Sequence, residues 1–138
     1  MMALNFVNHN QNTIWIALVY GDAGCGPNQF RKQGWWSIPP GQTLNIWDVD
    51  LQTVNRHAAF YADDSSGNTW SGTGNAYQVT NAGFNQCFDD NTNCNQQYNF
   101  VPLDFDRADN GNHNFNDLTV TLGPTPGQIA TEGSVRID

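Results

Sequence analysis

Short apolar stretches alternate along the chain with polar segments rich in Asn, Asp, Gly and Pro, at intervals of about 8–12 residues. This spacing predicts an all-β fold, an antiparallel β-sandwich or barrel, because no window shows the 3.6-residue repeat of an amphipathic helix. The predicted strands are 4–7, 13–20, 34–38, 43–49, 57–62, 69–71, 76–80, 84–88, 98–105, 118–122 and 135–137. The nearly all-apolar stretch 13–20 is expected to be central, and residues 1–138 to form one β domain.

Composition favours many turns and few helices. The 138 residues include 19 Asn, 10 Gln and 13 Gly, but a single Glu and a single Lys. Asn and Gly favour turns, whereas the residues that favour helices are scarce. The 5 Trp, 8 Phe and 4 Tyr provide enough large side chains for the core of a domain of this size.

The net charge of −8 and the pI of about 4.4 exclude two classes of partner. Nonspecific nucleic-acid binding and attachment to an anionic membrane surface both need a basic surface, which five Lys and Arg residues cannot form. The first 20 residues contain neither a secretory signal pattern nor an apolar run that could span a membrane. We therefore expect a protein without a transmembrane segment that is cytoplasmic, is exported without a Sec-type signal, or is already in its mature form.

The chain has three Cys residues, so they cannot all pair with one another. Cys87 and Cys94 could close a small loop, which would leave Cys25 free. Since no secretory signal is present, reduced thiols are favoured over a disulfide.

The motifs of common enzyme classes are absent from the sequence. His9, His57 and His113 do not form an HExxH pattern, and there is neither a GxSxG elbow nor a phosphate-binding glycine loop. Cys25 lies between glycines and could serve as a nucleophile, but a loop cysteine without a catalytic task is the favoured interpretation. The sequence therefore predicts a binding protein and not an enzyme.

An acidic segment suggests calcium as the only cofactor. Asp104, Asp106 and Asp109 precede an Asn-Gly turn, and Asp117 follows it. Ca²⁺ is bound by six to eight oxygen ligands, which loops rich in Asp and Asn can provide. The spacing differs from that of an EF-hand, and an acidic hairpin loop that binds no metal is the alternative.

Aromatic side chains near carboxylates and amides suggest a carbohydrate site. Trp70 follows Asp63, Asp64 and Asn68 closely in the sequence, and Tyr77 is flanked by further amides. Neutral sugars have apolar C–H faces and hydroxyl groups, which an aromatic ring and such polar side chains can bind. We expect Trp70 to stack on a sugar ring while Asp63, Asp64 or Asn68 binds hydroxyls.

The adjacent pair Trp35-Trp36 is also a candidate for this site. Neighbouring residues of a strand face opposite sides, so one indole can fill the core while the other faces solvent, a sheet edge or a partner. Trp15 belongs to the apolar stretch 13–20 and is expected in the core.

The first half of the chain resembles a bacterial family of domains of unknown function. The matching elements are Asn8, the strand 13–20, the Gly-Trp-Trp of 34–36 with Ile38 and Pro40-Gly41, the pair Tyr61-Ala62, and Trp70 with Gly72. Two positions that are Cys in that family are Phe6 and Gln42 here. The opening is also similar to thaumatin-type β-sandwiches. Both resemblances imply a β-sandwich, and neither implies a catalytic or binding residue.

Three hypotheses follow for the function of this domain. The leading one is a lectin-like module that binds neutral carbohydrate. The second is a protein-interaction or assembly module, such as a toxin subunit, an effector or a component of a homo-oligomer, in which an exposed Trp lies at a protein interface. The third is a calcium-stabilised β domain.

Overall fold

The computed structural model describes residues 4–22, 24–25, 30–47, 57–104 and 117–134, and the structure below is that of these ranges. They contain strands and no helix, which confirms the all-β prediction, whereas the choice between a sandwich and a barrel stays a prediction. The strands are β1 Leu4–Asn8, β2 Ile14–Gly21, β3 Phe30–Ile38, β4 Thr43–Trp47, β5 His57–Asp63, β6 Thr69–Trp70, β7 Ala76–Val79, β8 Phe84–Cys87, β9 Gln96–Asn99, β10 Val101–Asp104, β11 Asp117–Leu122 and β12 Ile129–Ser134.

The first sheet has four strands in the order β12-β11-β1-β4. The sequence predicted antiparallel strands, and all the described pairings but one are antiparallel. The exception is β1 with β11, which are parallel, with Leu4 opposite Leu118 and Asn8 opposite Leu122. A parallel neighbour needs a long connection, so local turn signals could not reveal this pair.

The second sheet has the order β10-β5-β2-β3-β8, and β6 pairs with β5. Strand β2 is central, as the apolar stretch 13–20 predicted. Strand β3 begins at Phe30 and not at Gly34, where the prediction placed its start. The prediction missed the first half of the strand because Arg31, Lys32 and Gln33 form no apolar pattern.

The two sheets share one hydrophobic core, which we call the inner core. It includes Phe6 and Val120 from the first sheet and Leu18, Phe60 and Trp70 from the second. The rings of Phe6 and Phe60 meet edge to face with centroids 5.2 Å apart. Strict alternation along β1 places every second side chain in this core.

The opposite side of the second sheet, here called the outer face, is partly covered by a two-stranded ribbon of β7 and β9. Val79 and the neighbouring Phe100 pack there on Ala17, Val19 and Tyr61. The central apolar strand β2 therefore has buried residues on both of its sides.

The buried Lys32 ties the outer face to the segments that cover it. Its Nζ donates to the Gln78 carbonyl at 2.7 Å and to Asn91 Oδ1 at 2.7 Å. The ammonium also lies 5.8 Å from the centroid of the Phe88 ring. These contacts fix the ribbon and the loop around Asn91 to the sheet, since a buried ammonium without partners would be strongly destabilising.

The structure overturns the expectation of reduced thiols and the suggested Cys87–Cys94 loop. Cys25 and Cys87 form a disulfide between residues 62 positions apart, and Cys94 is the free cysteine. Arg31 Nε and Asp22 Oδ2, 2.6 Å apart, form an ion pair in the same region. Spacing in the sequence suggested the nearer partner for Cys87, whereas strand pairing places β8 beside β3, close to the segment that carries Cys25.

No helix of the described ranges is long and apolar enough to cross a membrane. The final strand that we predicted at 135–137 lies outside the described residues, which end with β12 at Ser134.

Candidate binding site

A hollow of about 460 Å³ opens at one end of the outer face, where the β7–β9 ribbon leaves the sheet uncovered. We call it the aromatic cleft, and it is lined by Trp15, Trp35, Asp63, Ser65, Asn81, Gly83 and Tyr98. Its volume lies in the range of roughly 300–1,000 Å³ that is typical of small-molecule sites. Residues from five separate segments meet here, so the site exists only in the folded chain.

Trp15 is the most exposed large apolar side chain of the described residues, with 39% of its surface accessible. It was expected in the core, and that expectation is wrong. Its neighbours Ile14 and Ile16 enter the inner core, so alternation along β2 directs the indole to the outer face. Trp15 lies opposite Asp63 in the β2–β5 register, which places both side chains on the same face and close together.

Trp35 and Tyr98 form the floor of the cleft in fixed positions. The Trp35 Nε1–H donates to the Thr80 carbonyl at 3.0 Å, and its ring meets those of Tyr61 and Tyr98 edge to face. Tyr98 stacks on Tyr61 with ring centroids 4.2 Å apart and planes 5° from parallel. A ligand would therefore meet rings that are already ordered.

Asp63 is the carboxylate of the cleft, and its surroundings perturb its titration. Burial raises the pKa of Asp63, while hydrogen bonds from the Tyr61 hydroxyl and the Ser65 backbone N–H act in the opposite direction without cancelling the rise. The nearby Asp64 raises it further. The half-buried carboxylate can accept a hydrogen bond from a ligand hydroxyl, and its ligand role stays a prediction.

Asp64 and Asn68, also predicted to bind hydroxyls, instead build the turn after β5. Asp64 is only 4% exposed, and its Oδ1 accepts hydrogen bonds from the backbone N–H groups of Ser66 and Asn68. Its Oδ2 accepts from Asn68 Nδ2 at 2.7 Å and from Asn12 Nδ2 at 3.0 Å. Four donors occupy the carboxylate, so the structure contradicts the predicted ligand role of Asp64. Asn68 does not line the aromatic cleft, and its predicted role stays a prediction.

Trp70 is fully buried, which contradicts its predicted stacking on a sugar. Strand β6 pairs with β5 so that Trp70 lies opposite Ala62, a residue of the inner core. The indole therefore fills the side of the sheet opposite to the cleft. Its Nε1–H has no hydrogen-bond partner among the described residues.

Trp36 and Tyr77 lie outside the aromatic cleft. The register shift in β3 leaves Trp36 opposite Ile16, and its ring packs against the inner core, on the other side of the sheet from Trp35. Tyr77 packs on Phe88 and lines a separate hollow of about 430 Å³ at the other end of the outer face. The two adjacent indoles thus separate as predicted, and Trp35 is the one in the candidate site.

Sequence reasoning missed Trp15, Tyr98, Ser65 and Asn81. Trp15 lies between Ile14 and Ile16, and this alternation could have indicated that its side chain faces away from the core. The nearly all-apolar strand suggested instead that other elements cover both faces of β2. The β7–β9 ribbon covers only Ala17 and the residues beyond it. No local pattern indicated that Tyr98 or Asn81 approaches β2.

The predicted calcium site is only partly within the described residues. Asp106 and Asp109 lie outside them, while Asp104 ends β10 and Asp117 begins β11. Among the residues that the structure does describe, no group of three or more His, Cys, Asp or Glu could hold a metal ion. Calcium binding by this segment stays a prediction.

Comparison with known proteins gives no relative from which a function could be transferred. No family model, no curated protein and no solved structure matches the chain. The geometry of the cleft is therefore the basis of the functional argument.

Proposed function

We propose that this protein is a non-enzymatic binding module whose aromatic cleft binds neutral carbohydrate. The observation that carries the proposal is the exposed Trp15 indole directly across from the Asp63 carboxylate. An apolar ring can contact the C–H face of a sugar while the neighbouring carboxylate accepts a hydroxyl hydrogen bond. Asn81, which also lines the cleft, adds an amide that can both donate and accept.

The fixed geometry of the cleft favours this function. Trp35 is held by its bond to the Thr80 carbonyl, Tyr98 by stacking on Tyr61, and Asp63 by two hydrogen bonds. Groups that are ordered before binding lose little conformational entropy when the ligand arrives. A weakly interacting ligand such as a sugar needs this advantage, because each of its hydroxyls also leaves hydrogen bonds with water.

Charge favours a neutral ligand over an acidic one. Asp63 is the ionisable carboxylate that lines the cleft, and the whole chain has a net charge of −8. An acidic sugar or a phosphorylated ligand would be repelled at short range and at long range.

The test is a neutral glycan array probed with wild type, Trp15→Ala and Asp63→Asn. We expect binding by wild type and an affinity at least about tenfold lower for Trp15→Ala, since a central exposed aromatic ring carries a large share of binding energy. Asp89→Asn, which removes a carboxylate outside the cleft, is the matched control and should bind normally. Urea unfolding of each variant checks that the fold is intact.

The same array decides between this proposal and the assembly hypothesis. A blank array for wild type refutes carbohydrate binding. If light scattering then shows an oligomer that Trp15→Ala converts to monomers, the exposed indole belongs to a protein interface instead.

A further inference from the structure

A second hollow of about 530 Å³ continues from the aromatic cleft. It is lined by residues 80–86, 92–93 and 95, and it shares Asn81 and Gly83 with the cleft. We call it the amide groove, because five of its lining residues, Asn81, Asn85, Gln86, Asn93 and Asn95, carry amides. The two hollows therefore form one continuous surface with an aromatic end and an amide end.

We propose that the ligand is a linear neutral oligosaccharide, with one sugar unit in the aromatic cleft and the following units in the amide groove. This inference rests on the proposed function and names its substrate class. It predicts that affinity depends on chain length, which binding of a single sugar unit would not produce.

The chemistry of the groove suits a chain of hydroxyl groups. No ionisable side chain lines it, and its polar side chains are amides and the hydroxyls of Thr80 and Thr92. A side-chain amide has an NH₂ group that donates and an oxygen that accepts, so it can either donate a hydrogen bond to a hydroxyl or accept one from it. Such a lining neither attracts nor repels charge, which agrees with a neutral ligand along the whole surface.

Several of these amides are available for a ligand. Within the described part of the chain, the side chains of Asn81 and Asn93 make no hydrogen bond, and Asn95 uses only its Oδ1, which accepts from the Asn81 backbone N–H at 3.1 Å. The remaining donors and acceptors face the groove or solvent. A hydroxyl-rich chain could bind them without breaking the internal hydrogen bonds.

The loop that forms one wall of the groove is held in place. Gln86 Nε2 donates to the carbonyls of Asp90 and Thr92, and Asn95 Oδ1 accepts from the Asn81 backbone N–H at 3.1 Å. Lys32 anchors the same loop through Asn91 Oδ1. The groove is thus formed before a ligand arrives, like the aromatic cleft.

The length of the groove also indicates several sugar units. It follows β8 from Phe84 to Gln86 and starts at Gly83, and strand residues advance about 3.3 Å each, so it extends roughly 10 Å beyond the shared border. A single pyranose ring that contacts Trp15 is too short to reach its far end.

The experiment is calorimetric titration with the homologous series, from one to six units, of the linear neutral glycan that gives the strongest signal on the array. The proteins are wild type, Trp15→Ala and Asn93→Gly. Glycine suits position 93, where φ is 64°. Asn99→Ala, which removes an exposed amide of β9 outside both hollows, is the matched control.

We expect wild-type affinity to rise at least about tenfold between one and four units. Asn93→Gly should weaken this rise and keep the affinity for a single unit, whereas Trp15→Ala should lose affinity at every length. Equal wild-type affinity for one and six units, or an unchanged rise in Asn93→Gly, would overturn the inference and leave the proposed function standing. A blank array would instead remove the proposed function, and this inference with it.

Discussion

Replacing Asp64 by Asn tests whether this carboxylate holds the turn after β5 in place. The substitution keeps the shape of the side chain but turns one carboxylate oxygen into an NH₂ group. Oδ2 accepts hydrogen bonds from the side-chain NH₂ groups of Asn12 and Asn68. An NH₂ group in place of this oxygen could not accept them. The variant therefore loses at least two of the four hydrogen bonds and brings donors into contact at a site that is only 4% exposed.

Two considerations, both based on these hydrogen bonds, give the size of the effect. A hydrogen bond to a charged group contributes roughly 1.5–3 kcal/mol, and partial relaxation of a surface turn reduces the loss of two such bonds to about 2 kcal/mol. Desolvation raises the pKa of Asp64, but the hydrogen bonds from Asn68, Asn12 and the Ser66 and Asn68 backbone outweigh it and lower this pKa from 3.8 to about 2. After allowance for solvent screening, this difference corresponds to about 1–2 kcal/mol.

The sign of the pH dependence follows from the lowered pKa. The stabilisation by Asp64 is complete above the unfolded-state pKa and is lost as the pH falls from about 5 through the folded-state value of about 2. The free energy of unfolding of wild type should thus exceed that of Asp64→Asn by about 2 kcal/mol at neutral pH, and this difference should shrink in acid.

Urea unfolding of both proteins at neutral pH and across the acidic range measures this difference. Because other carboxylates also titrate, the difference between the two proteins is the informative quantity. If Asp64→Asn were within about 0.5 kcal/mol of wild type at neutral pH, or the difference did not depend on pH, the assignment of Asp64 as the anchor of the turn would be wrong.

Three further outcomes are expected. Gly72→Ala should lower the free energy of unfolding by about 1–3 kcal/mol, measured with urea, because a Cβ there would collide with the Phe100 carbonyl; an unchanged stability would contradict this packing. Reduction of the Cys25–Cys87 disulfide should destabilise the protein by about 4 kcal/mol, since it closes a long loop; a urea midpoint insensitive to reductant would argue against the bond. Glycan affinity should fall on acidification at a higher pH than an ordinary carboxyl would give, because burial raises the pKa of Asp63, and Asp63→Asn should abolish this dependence.

The fold class could be predicted from the sequence because strands produce local patterns of apolar and polar residues. Alternation along β1 and the apolar run of β2 mark strands wherever they occur. The pairing of β1 with β11 and the polar first half of β3 could not be predicted in this way, because they depend on neighbours distant in the sequence.

The candidate site was predicted only in part, for the same reason. Trp35 and Asp63 were identified by residue type and lie in the aromatic cleft. Trp70 shares that chemistry but is placed in the inner core by its register with Ala62, which no local pattern records. Trp15 reaches the surface only because the β7–β9 ribbon stops short of it, and the position of a covering element is a tertiary property.

The neighbouring positions of β1 and β11 have a consequence for biosynthesis. Leu4 finds its partner Leu118 only after most of the chain has been made, and a nascent polypeptide grows by roughly 5–20 residues per second. Strand β1 can pair with β4 earlier, but the edge of β1 that binds β11 must wait for seconds without its partner. High contact order of this kind slows folding, so the emerging chain is expected to depend on chaperones until β11 leaves the ribosome.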